Sequence, residues 1–185
     1  MKPAHSAVLA GCLAAGLVLA APASRSAHAQ AAASPQEQAL AEGKRLFRAD
    51  CAGCHKWHGS GGGGYGGLAL SLRSTRLSRE QIIETVGCGR PGTGMPYHLR
   101  DAYESDKCYG LTKEQLGKIM PMAAAAFLRP ADIATIADYV LARVKGKGEP
   151  NYAECIDFFG EGSRVCNIYK SGEASEAGGG AGESR

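Results

Sequence analysis

No segment of this sequence alternates apolar and polar residues as a half-buried strand does, which argues against a sheet-based fold. No apolar run is long enough to cross a bilayer. The longest, Ala7 to Ala21, is about 15 residues, against the roughly 20 that a membrane-spanning helix needs. No charge of one sign dominates: 21 Lys and Arg face 18 Asp and Glu, a formal excess of +3. That balance gives no reason to expect nucleic acid or an anionic membrane as partner. Nor does any nucleophile stand with a His and an acid in a pattern suited to acyl transfer.

What is present sorts the chain into a small folded part and two biased ends. Residues 1–29 begin with Lys2, carry the apolar run, and close on Ala27-His28-Ala29 before Gln30, the small-x-small pattern of a signal-peptidase site. The mature chain is expected to start at Gln30 in an exported, periplasmic protein with no stable membrane insertion. Loss of Lys2 and Arg25 with that leader brings the charge to about +1. Leu9-Ala10-Gly11-Cys12 spells a lipoprotein-processing box, but the apolar run continues through Cys12, whereas such a box should close it. From 171 the sequence turns rich in Gly, Ser, Glu and Ala, a composition expected to stay disordered to Arg185.

Residues 30–36 form a linker that ends in a helix start: Ser34 as N-cap, Pro35 at the first helical position, Glu37 to complete a capping box. Ala39, Leu40, Gly43, Leu46 and Phe47 then recur at helical spacing to about Ala49. A second helix opens at Ser78, with Ile82, Ile83 and Val86 on its apolar face, and stops at Gly87 to Gly89. A third piece is expected from Thr112 to Ile119. A fourth, strongly periodic helix runs from Pro130 to about Val144 with Ile133, Ile136, Ala137, Val140 and Leu141 on one side. Seven glycines between Gly59 and Gly67, around Ser60 and Tyr65, are too flexible for regular structure unless something packs on them. The expected fold is all-α, with the main domain over 37–145, a disulfide-bearing extension over 146–170 and the tail beyond.

Seven cysteines remain to be placed, and Cys12 leaves with the leader. Cys51-Ala52-Gly53-Cys54-His55 is a C-x-x-C-H haem-attachment motif. Its two thiols, three apart on a helical turn, each add to one vinyl group of a haem, and the adjacent imidazole reaches iron from the proximal side. A structural zinc site would need a second pair of ligands at similar spacing, and a thioredoxin-like pair would follow a strand; neither is found. Cys88, Cys108, Cys155 and Cys166 form an even set, which in an oxidising compartment reads as two disulfides among three possible pairings. Cys88–Cys108 and Cys155–Cys166 are favoured because each closes a modest loop within one segment.

Over roughly residues 37–145 the sequence resembles the class I monohaem cytochromes c. The resemblance rests on Gly43 and Phe47 before Cys51-Ala-Gly-Cys-His55, on Leu77-Ser-Arg-Glu-Gln-Ile-Ile with Gly89 and Met95-Pro96, and on Asp132-Ile-Ala-Thr-Ile-Ala-Asp-Tyr139-Val. It implies a cytochrome c-like helical fold around one covalent haem c, with the first and last helices crossing at Gly43 between Phe47 and Tyr139. It also implies a single-electron carrier rather than an enzyme. The sixth iron ligand has several candidates: Met95 on a glycine-hinged loop, Met120 or Met122 nearer the last helix, and His98. The resemblance falls on Met95, giving an expected ligand pair of His55 and Met95. Leu68 stands where relatives often carry a Pro that supports the proximal imidazole, which leaves open what His55 bonds. About 35 residues separate Met95 from the last helix, where many relatives have a short link. That insertion and the Cys155/Cys166 extension resemble periplasmic cytochromes that serve quinoprotein alcohol-oxidising systems. The implied partners are a periplasmic dehydrogenase as donor and another cytochrome or a terminal oxidase as acceptor. Two competing readings are a haem subunit held stably on such a dehydrogenase, and a ligand-binding haem protein or small peroxidase with an open iron. Arg73 and Arg90 are candidate propionate partners, and Trp57 and Tyr65 candidate neighbours of the haem edge.

Overall fold

The computed structural model describes residues 33–64 and 67–170; the leader with Cys12, Tyr65 in the glycine string, and the tail from 171 lie outside the described residues. Along the chain come α1 (Pro35–Asp50), the single turn α2 (Ala52–His55), β1 (Gly62–Gly64), β2 (Gly67–Ala69), α3 (Arg79–Cys88), the short α4 (Lys113–Leu116), α5 (Pro130–Arg143) and α6 (Tyr152–Phe159). Single 3₁₀ segments follow α4 at Gly117–Ile119 and α6 at Arg164–Tyr169. The fold is helical, as expected.

The caps explain where the helices begin. The Glu37 N–H donates to Ser34 Oγ (3.2 Å), and the Ser34 N–H donates back to the Glu37 carboxylate (2.8 Å), with Pro35 occupying the first turn. Ser78 and Gln81 repeat the arrangement at α3, and at α4 the Thr112 N–H donates to Gln115 Oε1 (2.8 Å). α1 crosses α5 at Gly43. A Cβ there would lie 2.6 Å from Tyr139 Cβ and 2.7 Å from the Thr135 carbonyl oxygen, so only glycine permits the approach. Phe47, fully buried, meets Tyr139 beside the crossing at 5.4 Å between ring centres. From α3, Ile82 and Val86 join Ile133, Ile136 and Val140 in the same buried cluster.

The insertion between Met95 and α5 closes the C-terminal end of α3. A helix leaves its last carbonyls without intrahelical partners, and here those of Val86, Gly87 and Cys88 find one from the insertion. His98 Nδ1 bonds the Val86 carbonyl (3.1 Å), the His98 and Leu99 N–H groups donate to Gly87 O (3.0 and 2.9 Å), and Tyr103 Oη donates to Cys88 O (2.6 Å). Tyr109 Oη reaches Gly89 O at 2.6 Å. The Cys88–Cys108 disulfide ties the two segments covalently, and Tyr103, Cys108, Ala102 and Leu116 form a second small core around it.

Two features depart from expectation. The glycine string pairs as an antiparallel hairpin, Gly62 opposite Ala69 and Gly63 opposite Leu68. Backbone pairing needs no alternation of side chains, so glycines leave no strand pattern to read. The extension, expected only as a Cys-bearing segment, contains α6, whose N-terminus is capped by Asn151 Oδ1 accepting the Glu154 N–H (2.9 Å). Cys155 on α6 is bonded to Cys166, the second of the two favoured bridges.

Candidate functional site

α1 ends by handing the chain directly into the motif. The Cys51 N–H still bonds Phe47 O (2.9 Å), and one further turn, with Cys54 and His55 N–H both on Cys51 O (3.2 and 3.0 Å), sets the two thiols on one face and the imidazole beside them. Cys51 and Cys54 are the two free cysteines among the described residues. After His55 the chain reverses: Lys56 adopts φ +62°, the Gly61 N–H returns to His55 O (3.2 Å), and the Leu72 N–H donates to Gly59 O (2.7 Å). This reversal puts the Leu70 carbonyl 3.0 Å from His55 Nδ1. A carbonyl can only accept, so Nδ1 carries the proton and the Nε2 lone pair is the one left for a metal. The acceptor for His55 therefore comes from Leu70, two residues beyond Leu68, whose own side chain is exposed.

The electrostatics agree with that assignment. Burial pushes His55 below its ordinary range, the Leu70 bond opposes this, and the Arg90 guanidinium pushes the same way as burial, so the neutral ring prevails at pH 7. Burial, with the nearby Asp50 carboxylate and Cys54, pushes the Cys51 thiol up to about 12. A disulfide-exchanging pair needs a depressed thiol, which Cys51 is not. Among the described residues no three His, Cys, Asp or Glu side chains converge on a metal site, so the pair has no zinc-type partners. Two free thiols one turn apart and a neutral imidazole with Nε2 free fit a covalently attached haem.

A cytochrome c family model matches residues 40–143, more than half of the chain. The chain belongs to the cytochrome c family. A covalently bound haem c with its iron comes with that membership, as does the role of a haem-based electron carrier. No curated protein and no solved structure matches the chain.

The other candidate residues of this cytochrome fall into distinct places. Met95 is half-buried and packs on the main core, the cluster that Cys51 also touches, at the end of a turn in which Thr93 Oγ1 bonds both Arg90 O (2.8 Å) and the Met95 N–H (3.2 Å). The turn depends on Gly89 at φ +68°, where a Cβ would lie 2.8 Å from Met95 O. Met120 packs on the second cluster instead, and Met122 is 66% exposed. His98 is buried, with Nδ1 committed to α3. Arg73 is also buried, and its guanidinium is spent on Gly148 O (2.6 Å), His58 O (3.0 Å) and the Glu154 carboxylate (3.0 Å) rather than facing outward; Arg90 remains exposed. Trp57 meets Phe158, Phe159 and Tyr169 of the extension in tilted and edge-to-face contacts at 5.5–5.9 Å between ring centres. Glu154 had no signal in the sequence, because its partner lies 81 residues away.

Proposed function

We propose that this cytochrome holds its haem by thioether bonds to Cys51 and Cys54, with iron between His55 Nε2 and the Met95 sulfur, and passes single electrons in the periplasm. The observation that carries the reading is the His55 ring, fixed as the Nδ1–H tautomer by Leu70 O directly after two free thiols. The haem supplies one-electron exchange at its iron; the chain's part is to attach it, set its ligands and keep its surroundings rigid. Met95 is favoured over Met120 and Met122 because it belongs to the cluster that Cys51 touches and sits on a turn held by Thr93. A thioether in the sixth position favours the reduced state, which suits a carrier.

Export is supported by the leader and by two disulfides, which persist in oxidising compartments. No helix among the described residues is long and apolar enough to cross a membrane. The insertion and extension support a periplasmic dehydrogenase, of the quinoprotein alcohol-oxidising kind, as donor and a second cytochrome or a terminal oxidase as acceptor. A stable haem subunit on that dehydrogenase is the second reading, favoured by the exposed Ile119, Met122 and Phe127 around the insertion. Size-exclusion of the native protein separates the two, since a carrier elutes small and alone.

The ligand assignment has a direct test. The ferric protein should show the weak far-red sulfur-to-iron band. Met95→Ala should abolish the band, lower the potential and admit carbon monoxide to the ferrous iron, while Met120→Ala and Met122→Ala leave all three unchanged. A band lost only in one of the latter two would move the sixth ligand to that residue.

A further inference from the structure

The C-terminal extension is not a loose appendage on the site's flank. Glu154 lies on α6 next to the fully buried Cys155, and the Asn151 cap on its own N–H fixes where it sits. Its carboxylate meets Arg73, whose side chain is only 7% exposed. That guanidinium simultaneously bonds the carbonyl of His58, three residues past the proximal imidazole, and that of Gly148 at the root of the extension. Arg73 itself stands three residues after Leu70, the acceptor for His55 Nδ1. Its backbone oxygen is held by the Gly146 N–H at 2.8 Å, and the Leu72 N–H is held by Gly59 O at 2.7 Å. The chain that leaves Leu70 is therefore anchored at Arg73 or within one residue of it, while the chain that enters Leu70 is held by the pairing of Ala69 with Gly62. A second contact reinforces the strap: Trp57, two residues past His55, packs on Phe158, Phe159 and Tyr169 of the extension. Lys44 of α1 donates to Asp157 O at 2.6 Å, tying α6 to the helix that precedes the motif.

We infer that the Arg73–Glu154 pair is a positioning device through which the disulfide-closed extension holds the proximal hydrogen bond from His55 to Leu70, and thereby helps set the reduction potential. The physical reason lies in the imidazole. A short Nδ1–H···O bond makes the ring a stronger donor to iron, which favours the ferric state; slackening it weakens donation and raises the potential. A carboxylate that neutralises a buried guanidinium cannot be lost quietly, because the uncompensated charge pulls toward water and takes the loop with it.

The inference rests on His55 as the proximal ligand, and the experiment separates the two. In the ferrous holoprotein, the His55 Nδ1 proton is followed by NMR for its position and exchange rate, alongside the reduction potential. Absence of an iron-ligated His55 signal in the unmutated protein would overturn the proximal assignment itself. With that signal present, Glu154→Gln should raise the potential and speed exchange of the Nδ1 proton roughly tenfold or more, the response to losing one charged hydrogen-bonded partner. Against the case that a lone buried guanidinium prevents folding, Arg73→Met with Glu154→Met provides a charge-free pair of similar bulk. It should give the same rise and the same faster exchange. An unchanged potential and exchange rate in either folded variant, even with a lowered melting point, would reduce the pair to a stabilising contact and overturn the proposal.

Discussion

At the scale of single residues, the crossing of α1 and α5 turns on what a methyl group would meet. Alanine exceeds glycine in helix propensity by about 1 kcal/mol, so on propensity alone Gly43→Ala would stabilise the protein. The neighbours argue the other way. The Thr135 carbonyl and Tyr139 Cβ, 2.7 and 2.6 Å from the new carbon, belong to helix backbone or its first side-chain atom and cannot rotate aside. The helices must separate, loosening Phe47 against Tyr139, at a cost of about 1–3 kcal/mol. Gly43→Ala should therefore lower the urea midpoint of the holoprotein; a rise would show that propensity outweighs the clash. Gly43 was legible in the sequence because the family resemblance marks the crossing. Leu70 was not: the acceptor is a main-chain oxygen, which any residue type supplies, and only the turn geometry after His55 selects it.

At the scale of elements, legibility followed local signals. The capping boxes and apolar spacing of α1, α3 and α5 lie within one or two turns of chain, and those helices appear where they were expected. The helix expected from Thr112 to Ile119 tightens at Gly117, φ +52°, into a 3₁₀ turn. Among the glycines of the 92–96 turn, Gly92 takes a positive φ while Gly94 does not; the close approach belongs to Gly89. The insertion's role as the cap of α3 joins positions ten to twenty residues apart, through Tyr103, Tyr109 and a disulfide, and so leaves no periodic trace. Burial pushes the Tyr103 phenol up to about 12, which keeps it a donor to Cys88 O at any working pH. Between α3 and α5, Arg79 grips Asp138 with Nε–Oδ1 at 2.6 Å and Nη2–Oδ2 at 2.9 Å. The Arg79 guanidinium holds the Asp138 carboxyl below its ordinary value. A carboxyl depressed in the folded state contributes stability above its unfolded value, near 3.8, and loses it as pH falls through the lower folded value. Both side chains are nearly half exposed, so water screens the pair and its contribution to stability is small. Arg79→Gln should thus lower stability by that small amount at pH 7, and the gap from the unmutated protein should close as the pH drops below 3.8. A gap constant with pH would mean that Arg79 contributes by packing and not through Asp138.

At the scale of the whole molecule, the cysteines pose a sorting problem that decides whether the cytochrome forms at all. Four are joined in the bridges Cys88–Cys108 and Cys155–Cys166, and on the attachment proposed above the other two reach the haem as thiols. The fold separates the groups. The bridged cysteines are buried at 0–3% exposure inside the insertion's core and the extension, whereas Cys51 and Cys54 are only partly buried, one turn apart at the end of α1. Each bridge constrains the unfolded chain and contributes about 2–4 kcal/mol, so an apoprotein that forms both is already partly organised when the motif is modified. A mispaired Cys51 or Cys54 would instead block attachment. Export beside a haem-attachment system should therefore yield a protein whose haem survives denaturation and whose Cys88, Cys108, Cys155 and Cys166 resist alkylation without reductant. Cys51→Ala with Cys54→Ala should remove the haem stain from a denaturing gel and leave both bridges intact, because neither depends on the motif. If alkylation then labels any of the four, the bridges form only after the haem is in place, and the order of maturation argued from the fold is reversed.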